Sequence, residues 1–538
     1  MKKLVSRFMA VLMAMTMVLS MSMNAFAEEA PKGTLTVSNT VAGKTLDLYQ
    51  IFTATKSENN VAYTLNSAYE GFFKTKVKNG SSLSGEALSE AAYNYVKTQV
   101  GTDGKNGAAF AKDILGWILD NATTVASTHT TANTTDGTTE INNLDYGYYV
   151  VYPLGATDTS AAPGTGQDYT SVASLVSVTD TNAKVNMKSN YPTVVKKVND
   201  KNADDVNIGD TVTYTLTSKV PDMTGYTSYV FNFKDTLSAG LTFKGITSVT
   251  VGSGENVQNV TAGTGDNTYT LTQDGQNITI TMNNFLASNA NKVGQEIKVT
   301  YTATLNKDAV TGFDPNTNKA TVEYSNKPGT DDKGESEPSK VDVHTFNFTI
   351  FKYYLKDATK TGLANAEFEL YKANEAGNAA DTNAKINIVD ERNGVYRQAT
   401  ADEAKATGFT SAKIVSDADG KVLVKGLDAG TYYLRETKAP EGYNKLLSDI
   451  KVEIKPVYDG TTGKLTSYSV DYTYNGKITN GTVITTKDNS PEVAVENKTG
   501  AQLPSTGSKG ALMVTLAGIV LFGALTASKA FGKKKANN

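Results

Sequence analysis

Cysteine is absent from all 538 residues, so no disulfide braces any part of the chain. Tryptophan occurs once and histidine twice. His129 and His344 lie far apart, which leaves little material for a zinc site or a His-dependent triad. Charge of one sign is also lacking: the formal net charge is −3, so neither nucleic acid nor anionic lipid finds a basic surface to bind. Long amphipathic helices are scarce, and long apolar runs are confined to the two ends. The remainder is rich in Thr, Val, Tyr and Gly in short alternating stretches, which predicts an all-β, multi-domain protein. Asp417-Ala-Asp419-Gly420 lacks the downstream bidentate acid of a calcium loop and reads as a turn. Gly164-Thr-Gly and Gly252-Ser-Gly lack the following helix that a phosphate cradle needs. No metal, cofactor or turnover active site is expected.

The ends carry addresses. Lys2, Lys3 and Arg7 precede an apolar run from Phe8 to Met23, and Ala25-Phe26-Ala27 has the small-x-small cleavage form. This predicts a secretory signal peptide over 1–27 and a mature chain from Glu28. At the other end Leu503-Pro504-Ser505-Thr506-Gly507 precedes a mostly apolar run from Ala511 to Phe531 and then Lys533-Lys534-Lys535. The run has the length of a membrane-spanning helix, its Lys529 lies where it snorkels, and the terminal lysines favour the cytoplasmic side. Pentapeptide, helix and basic tail in this order resemble the cell-wall sorting signal of Gram-positive surface proteins. The resemblance implies that a sortase cuts between Thr506 and Gly507 and passes the Thr506 acyl group to an amine. The membrane is then only a transient partner.

Between the ends lie roughly 480 residues, enough for about three domains. The first is expected over 28–190. It has strands at Leu35-Thr-Val-Ser and Leu46 to Phe52, and two helices with the faces Leu88, Ala92, Tyr95, Val96 and Phe110, Ile114, Trp117, Ile118. A Thr-rich loop from Thr123 to Thr139 leads to a strand over Tyr146–Tyr152, and Trp117 reads as core. The second is expected over 191–343, with strands at Thr193–Asn199, Thr211–Leu216 and Tyr229–Leu237. The third is expected over 344–499, and 500–538 form the tether and sorting signal. Short strands punctuated by Gly and Asn turns predict tandem sandwiches.

Two lysines sit where strands are apolar. Lys196 shares a face with Val194 and Val198, and Lys352 follows Phe348-Thr-Ile-Phe351. An unpaired buried ammonium is expensive, so such lysines either reach solvent at an edge or serve chemistry. Burial depresses a lysine's pKa and raises a carboxylate's. A neutral amine beside a protonated acid and an Asn carboxamide is a reactive set. The amine attacks the amide carbon, the acid polarises the carbonyl and shuttles protons, and ammonia leaves. The product, a Lys–Asn isopeptide bond tying a domain's first strand to its last, supplies the staple that missing cysteines do not.

Tyr432-Tyr-Leu-Arg-Glu436-Thr-Lys-Ala-Pro440-Glu-Gly-Tyr443 resembles the E-box of sortase-assembled pilins at every fixed position. That resemblance implies a transthyretin-like, Ig-like B-type domain with Lys352 as nucleophile, Glu436 as proton shuttle and Asn497 as acceptor. Lys196-Lys197-Val198, Phe233-Lys-Asp235-Thr-Leu237 and Asn318-Lys-Ala-Thr-Val-Glu-Tyr324 resemble the fimbrial D2 domain, an A-type sandwich. They imply Lys196 as nucleophile, Asp235 as acid and Asn318 as acceptor, with Asn326 on the same strand face as the alternative; Lys197 points the opposite way, to solvent. The first domain is similar to the N-terminal domain of pilin backbone subunits and shows no Lys/acid/Asn set. Backbone pilins carry their polymerising lysine in a Y-P-K-like motif, but here Tyr191-Pro192 is followed by Thr193. Lys188 is the expected nucleophile, with Lys197 second.

The resemblance implies the major subunit of a pilus shaft on a Gram-positive cell wall. Its expected partners are sortase, neighbouring copies, tip and base pilins, and peptidoglycan. The alternative is a monomeric wall-anchored adhesin built from the same domains.

Overall fold

The computed structural model describes residues 31–101, 107–156, 172–187 and 191–500. The signal peptide with Ala25 and Ala27, Lys188, and Leu503, Pro504, Ser505, Thr506 and Gly507 lie outside the described residues. The described chain is mostly strand, arranged as tandem β-sandwiches with a few helices. Among the described residues no helix is long and apolar enough to cross a membrane.

In the first unit a three-stranded sheet is centred on Lys32–Thr40, and a second sheet is built around Leu46–Ser57 and Gly147–Pro153. Helices Gly85–Val100 and Gly107–Asp120 cover the outer face of the second sheet. Their apolar spacing buries Leu88, Ala92, Val96, Phe110, Ile114 and Ile118 in one core with Phe52 and Phe72. Tyr95 and Trp117 pack at its margin, with the Trp117 ring 5.8 Å from Phe72. The Thr-rich stretch expected as a loop instead contributes the strands His129–Thr131 and Gly137–Asp145. β-Branched threonines suit such a half-exposed ladder, and the Thr139 hydroxyl donates to Thr40 Oγ1 at 3.0 Å.

The second unit is a sandwich of two sheets. One is five-stranded and runs Gln258–Asn259, Leu241–Val251, Glu296–Leu305, Thr211–Lys219, Val195–Val198. The other has Asn316–Ser325 paired on one side with Phe231–Leu237 and on the other with Ser339–His344. Period-two alternation drives the inner face of each strand into the core, as with Val212, Tyr214 and Leu216.

In the third unit Phe346–Lys356 lies in one sheet and Gly430–Lys438 in the facing one. The last strand, Glu492–Glu496, returns to pair in parallel with Phe346–Lys356, with Lys352 opposite Val495. Gly420 accepts the Lys352 N–H at 2.7 Å and has φ +75°. A Cβ there would lie 2.1 Å from Lys352 O, so only glycine permits this approach.

Neighbouring units touch. Lys44 Nζ of the first donates to Tyr324 OH at 3.2 Å and to Glu335 O at 3.1 Å, and it lies 4.8 Å from the Tyr191 ring centroid. Between the second and third, Tyr458 OH donates to Asp205 Oδ2 at 2.7 Å, Ala429 N to Asp205 Oδ1 at 3.0 Å, and Ile208 N to Gly426 O at 3.0 Å.

Candidate functional site

Alternation along Val195–Val198 turns Lys196 inward between Val194 and Val198, and it is 2% exposed. Asp235 comes from the facing sheet, also 2% exposed, and Asn318 from the strand paired with Asp235's, fully buried. Lys196 Nζ is ion-paired with Asp235 Oδ2 and donates to Tyr301 OH at 2.7 Å. Tyr301 OH donates to Asp235 Oδ2 at 3.0 Å and accepts from Asn318 Nδ2 at 2.7 Å. Asp235 Oδ1 and Asn318 Oδ1 are buried without a hydrogen-bond partner among the described residues. Burial pulls the Lys196 amine below its ordinary range and lifts the Asp235 carboxyl above its own, against their mutual attraction.

Lys352 is fully buried, and Glu436 and Asn497 are each 2% exposed. Lys352 Nζ stands 2.9 Å from Glu436 Oε1 and 5.6 Å from the Phe368 ring centroid. Desolvation lowers its pKa to about 8, with Glu436 opposing the shift. Glu436 Oε2 accepts from Leu446 N at 2.7 Å and from Asn497 Nδ2 at 3.3 Å. The second half of the Tyr432–Tyr443 stretch makes a clasp. Tyr443 N bonds back to Pro440 O at 3.1 Å, Gly442 takes φ +86°, and Asn444 N bonds Lys498 O at 2.9 Å. Asn444 O then accepts from Asn497 Nδ2, and Asn497 N bonds Tyr353 O at 2.9 Å. The acid's own loop thus holds the carboxamide in front of it.

The two clusters share chemistry but not topology. In the third unit amine and carboxamide lie on adjacent parallel strands, and the acid reaches across from the other sheet. In the second unit acid and carboxamide are neighbours, and the amine reaches across. Asn318, moreover, lies on Asn316–Ser325, with Lys333–Glu335 and Ser339–His344 still to follow, so a bond there would join the first strand to one two short of the last, across the sandwich. This departs from the first-to-last tie that the sequence suggested.

Asn326 stands just beyond Asn316–Ser325, half-buried beside Gly155 of the first unit, and no hydrogen bond joins it to the cluster. Lys197 is half-buried rather than free in solvent, because its Nζ donates to Asn202 Oδ1 at 2.5 Å. Among the described residues of the first unit no lysine is buried. Sequence reasoning missed Tyr301, Asn444 and the Leu446 N–H. Tyr301 had a signal: Ile297, Val299, Tyr301, Ala303 and Leu305 line one inward face, and a buried phenol needs a partner. Asp417 Oδ1 caps a turn, accepting from Lys421 N at 2.8 Å and Asp419 N at 3.0 Å.

Residues 208–328 match the family described as Gram-positive pilin backbone subunit 2, Cna-B-like domain, and residues 349–469 match the SpaA prealbumin-like fold domain. The Trypsin-resistant surface T6 protein of Streptococcus pyogenes serotype M6 is 26% identical over 340 residues, covering 57% of this chain and 52% of the relative. The chain therefore spans about half the length of that curated relative. Among solved structures, the T6 backbone pilin of serotype M6 Streptococcus pyogenes aligns at 18% identity, covering 89% of this chain and 100% of that one, with a TM-score of 0.45. The group B streptococcus pilus 2b backbone protein aligns at 27% identity over 58% of this chain and 99% of that one, with a TM-score of 0.40. The second unit thus matches a Gram-positive pilin backbone domain of Cna-B-like type, and the third a prealbumin-like domain of SpaA type.

Proposed function

We propose that this chain is the repeating subunit of a covalent pilus shaft, exported, cleaved after Thr506, joined to a lysine of the next copy and finally fixed to peptidoglycan. Each of its second and third units is locked by an internal isopeptide bond. The observation that carries this reading is the pair of buried Lys–acid–Asn clusters, Lys196–Asp235–Asn318 and Lys352–Glu436–Asn497. Keeping an amine and an acid together in an apolar core costs several kcal/mol per ion unless geometry repays it. A condensation that consumes the amine removes that cost permanently. In each cluster the amine is depressed, an acid oxygen stands beside it, and the carboxamide oxygen is left without a partner. That combination favours attack of Nζ on Cγ, with the acid protonating the carbonyl oxygen and ammonia departing.

The shaft role rests on the ordered sorting signal together with the family of the second unit. Lys188 remains the proposed intermolecular nucleophile, and Lys197 is the less favoured choice because Asn202 already occupies its amine. Intact mass of the mature chain tests the internal bonds, since each makes it lighter by one ammonia. Wall extracts from cells that carry the matching sortase test the shaft. A ladder of detergent-resistant high-mass species is expected, whereas a single band would indicate the wall-anchored monomer.

A further inference from the structure

We propose that Tyr301 is a catalytic residue of the second unit's crosslink, relaying a proton to the departing ammonia; the proposal rests on the isopeptide reading above. A phenolic hydroxyl has one proton to give and two lone pairs to receive. Tyr301 uses all three: it donates to Asp235 Oδ2 at 3.0 Å and accepts from Lys196 Nζ and Asn318 Nδ2, each at 2.7 Å. It therefore touches both the attacking and the leaving nitrogen.

The third unit has no such intermediary, for there Asn497 Nδ2 bonds Glu436 Oε2 directly at 3.3 Å. Aspartate is one methylene shorter than glutamate, and no hydrogen bond links Asp235 to the leaving nitrogen, Asn318 Nδ2, although Asp235 Oδ1 and Asn318 Oδ1 are both buried and unpartnered. The Tyr301 hydroxyl fills that gap. Its position is fixed: it is 1% exposed, stacked on Tyr214 with centroids 5.2 Å apart and packed against Phe243 at 5.5 Å. Burial, with Asp235 adding to it, raises its pKa, so the hydroxyl keeps its proton until one is called for.

The step balances. Asp235, protonated at the outset, lends its proton to Asn318 Oδ1 as the Nζ–Cγ bond forms, then takes one from the amine. Tyr301 gives its proton to Nδ2 as the Cγ–Nδ2 bond breaks and is refilled from Asp235 Oδ2. The new amide's oxygen returns the borrowed proton to Asp235. Ammonia leaves, nothing is oxidised or reduced, and both groups end as they began.

The test is a time course of crosslink formation in newly synthesised full-length chain. Peptide mass spectrometry follows Lys196–Asn318, with Lys352–Asn497 in the same molecule as the internal clock. Tyr301→Phe keeps the ring and removes the relay. It is expected to slow the second-unit bond about 100-fold, the low end of what a positioned proton-transfer group contributes, and to leave the third-unit bond unchanged. Tyr229→Phe, which trims a buried hydroxyl of the same unit whose neighbours are Tyr226, Tyr324 and Asp222 and not Lys196, Asp235 or Asn318, is expected to crosslink at the parent rate. A parent rate in Tyr301→Phe, or equal slowing in both variants, overturns the relay. A parent chain that never forms Lys196–Asn318 overturns instead the isopeptide reading for this unit.

Discussion

Replacing the third unit's amine and acid together, with Lys352→Met and Glu436→Gln, isolates what the covalent bond contributes. Met occupies the volume of the lysine stem, and the Gln carbonyl still accepts the Leu446 N–H, so neither a cavity nor a lone buried charge is left behind. What disappears is the tie between Lys352 and Asn497, which closes a loop of about 145 residues; in the chain-entropy treatment a loop of that length is worth about 5 kcal/mol. For a domain near 150 residues, each kcal/mol moves the melting temperature by roughly 2–4 °C, so the third unit's transition should fall by about 10–20 °C. Scanning calorimetry of the mature chain reads this directly, with the second unit's transition as the fixed reference. Intact mass must first establish that the parent carries the bond and the variant does not. If it does so and the transition stays where it was, the staple argument is wrong.

Asn318→Ala should leave the chain one ammonia heavier than its crosslinked parent, after allowing for the substitution, whereas Asn326→Ala should not; intact mass separates the two. Lys188→Ala should abolish the high-mass ladder in wall extracts and Lys197→Ala should leave it, as read on denaturing gels. Burial and a hydrogen bond with Asp205 raise Asp428 to about 8, so the folded joint between second and third units favours its protonated form. That contribution is whole below about pH 4, shrinks as pH rises and is gone above about pH 8; Asp428→Asn should flatten this part of the melting-temperature profile. Under tension the third unit should yield at most about 27 Å, from the eight residues His344–Phe351 ahead of its crosslink, because load leaves at Asn497 beside the Lys352 strand. The second unit should yield at most about 85 Å, from the 25 residues between Asn318 and His344 that lie outside its crosslink, and force spectroscopy on single chains measures both.

How much of this is legible in the sequence depends on whether the signal is periodic or topological. Lys196 and Lys352 stand out because a charged residue breaks an alternating apolar strand, and the structure buries both. Helix faces such as Leu88, Ala92 and Val96 follow from spacing alone. Strand order carries no such mark. Nothing in the letters says that Glu492–Glu496 returns beside Phe346–Lys356, or that Asn318 sits two strands before the end of its unit. The threonines after Thr123 misled for a related reason: polarity suggested a loop, while their β-branching and a waiting sheet edge decided for strand. Tyr301 was hidden by its ordinariness, since an aromatic residue on an inward strand face is usually packing. Only the third dimension sets its hydroxyl among Lys196, Asp235 and Asn318. The same topology decides which acid each unit can use. Where amine and carboxamide are neighbours on one sheet, a glutamate reaches them from the other. Where acid and carboxamide are neighbours, an aspartate meets the incoming amine, and a tyrosine from the amine's own sheet spans what the shorter side chain does not.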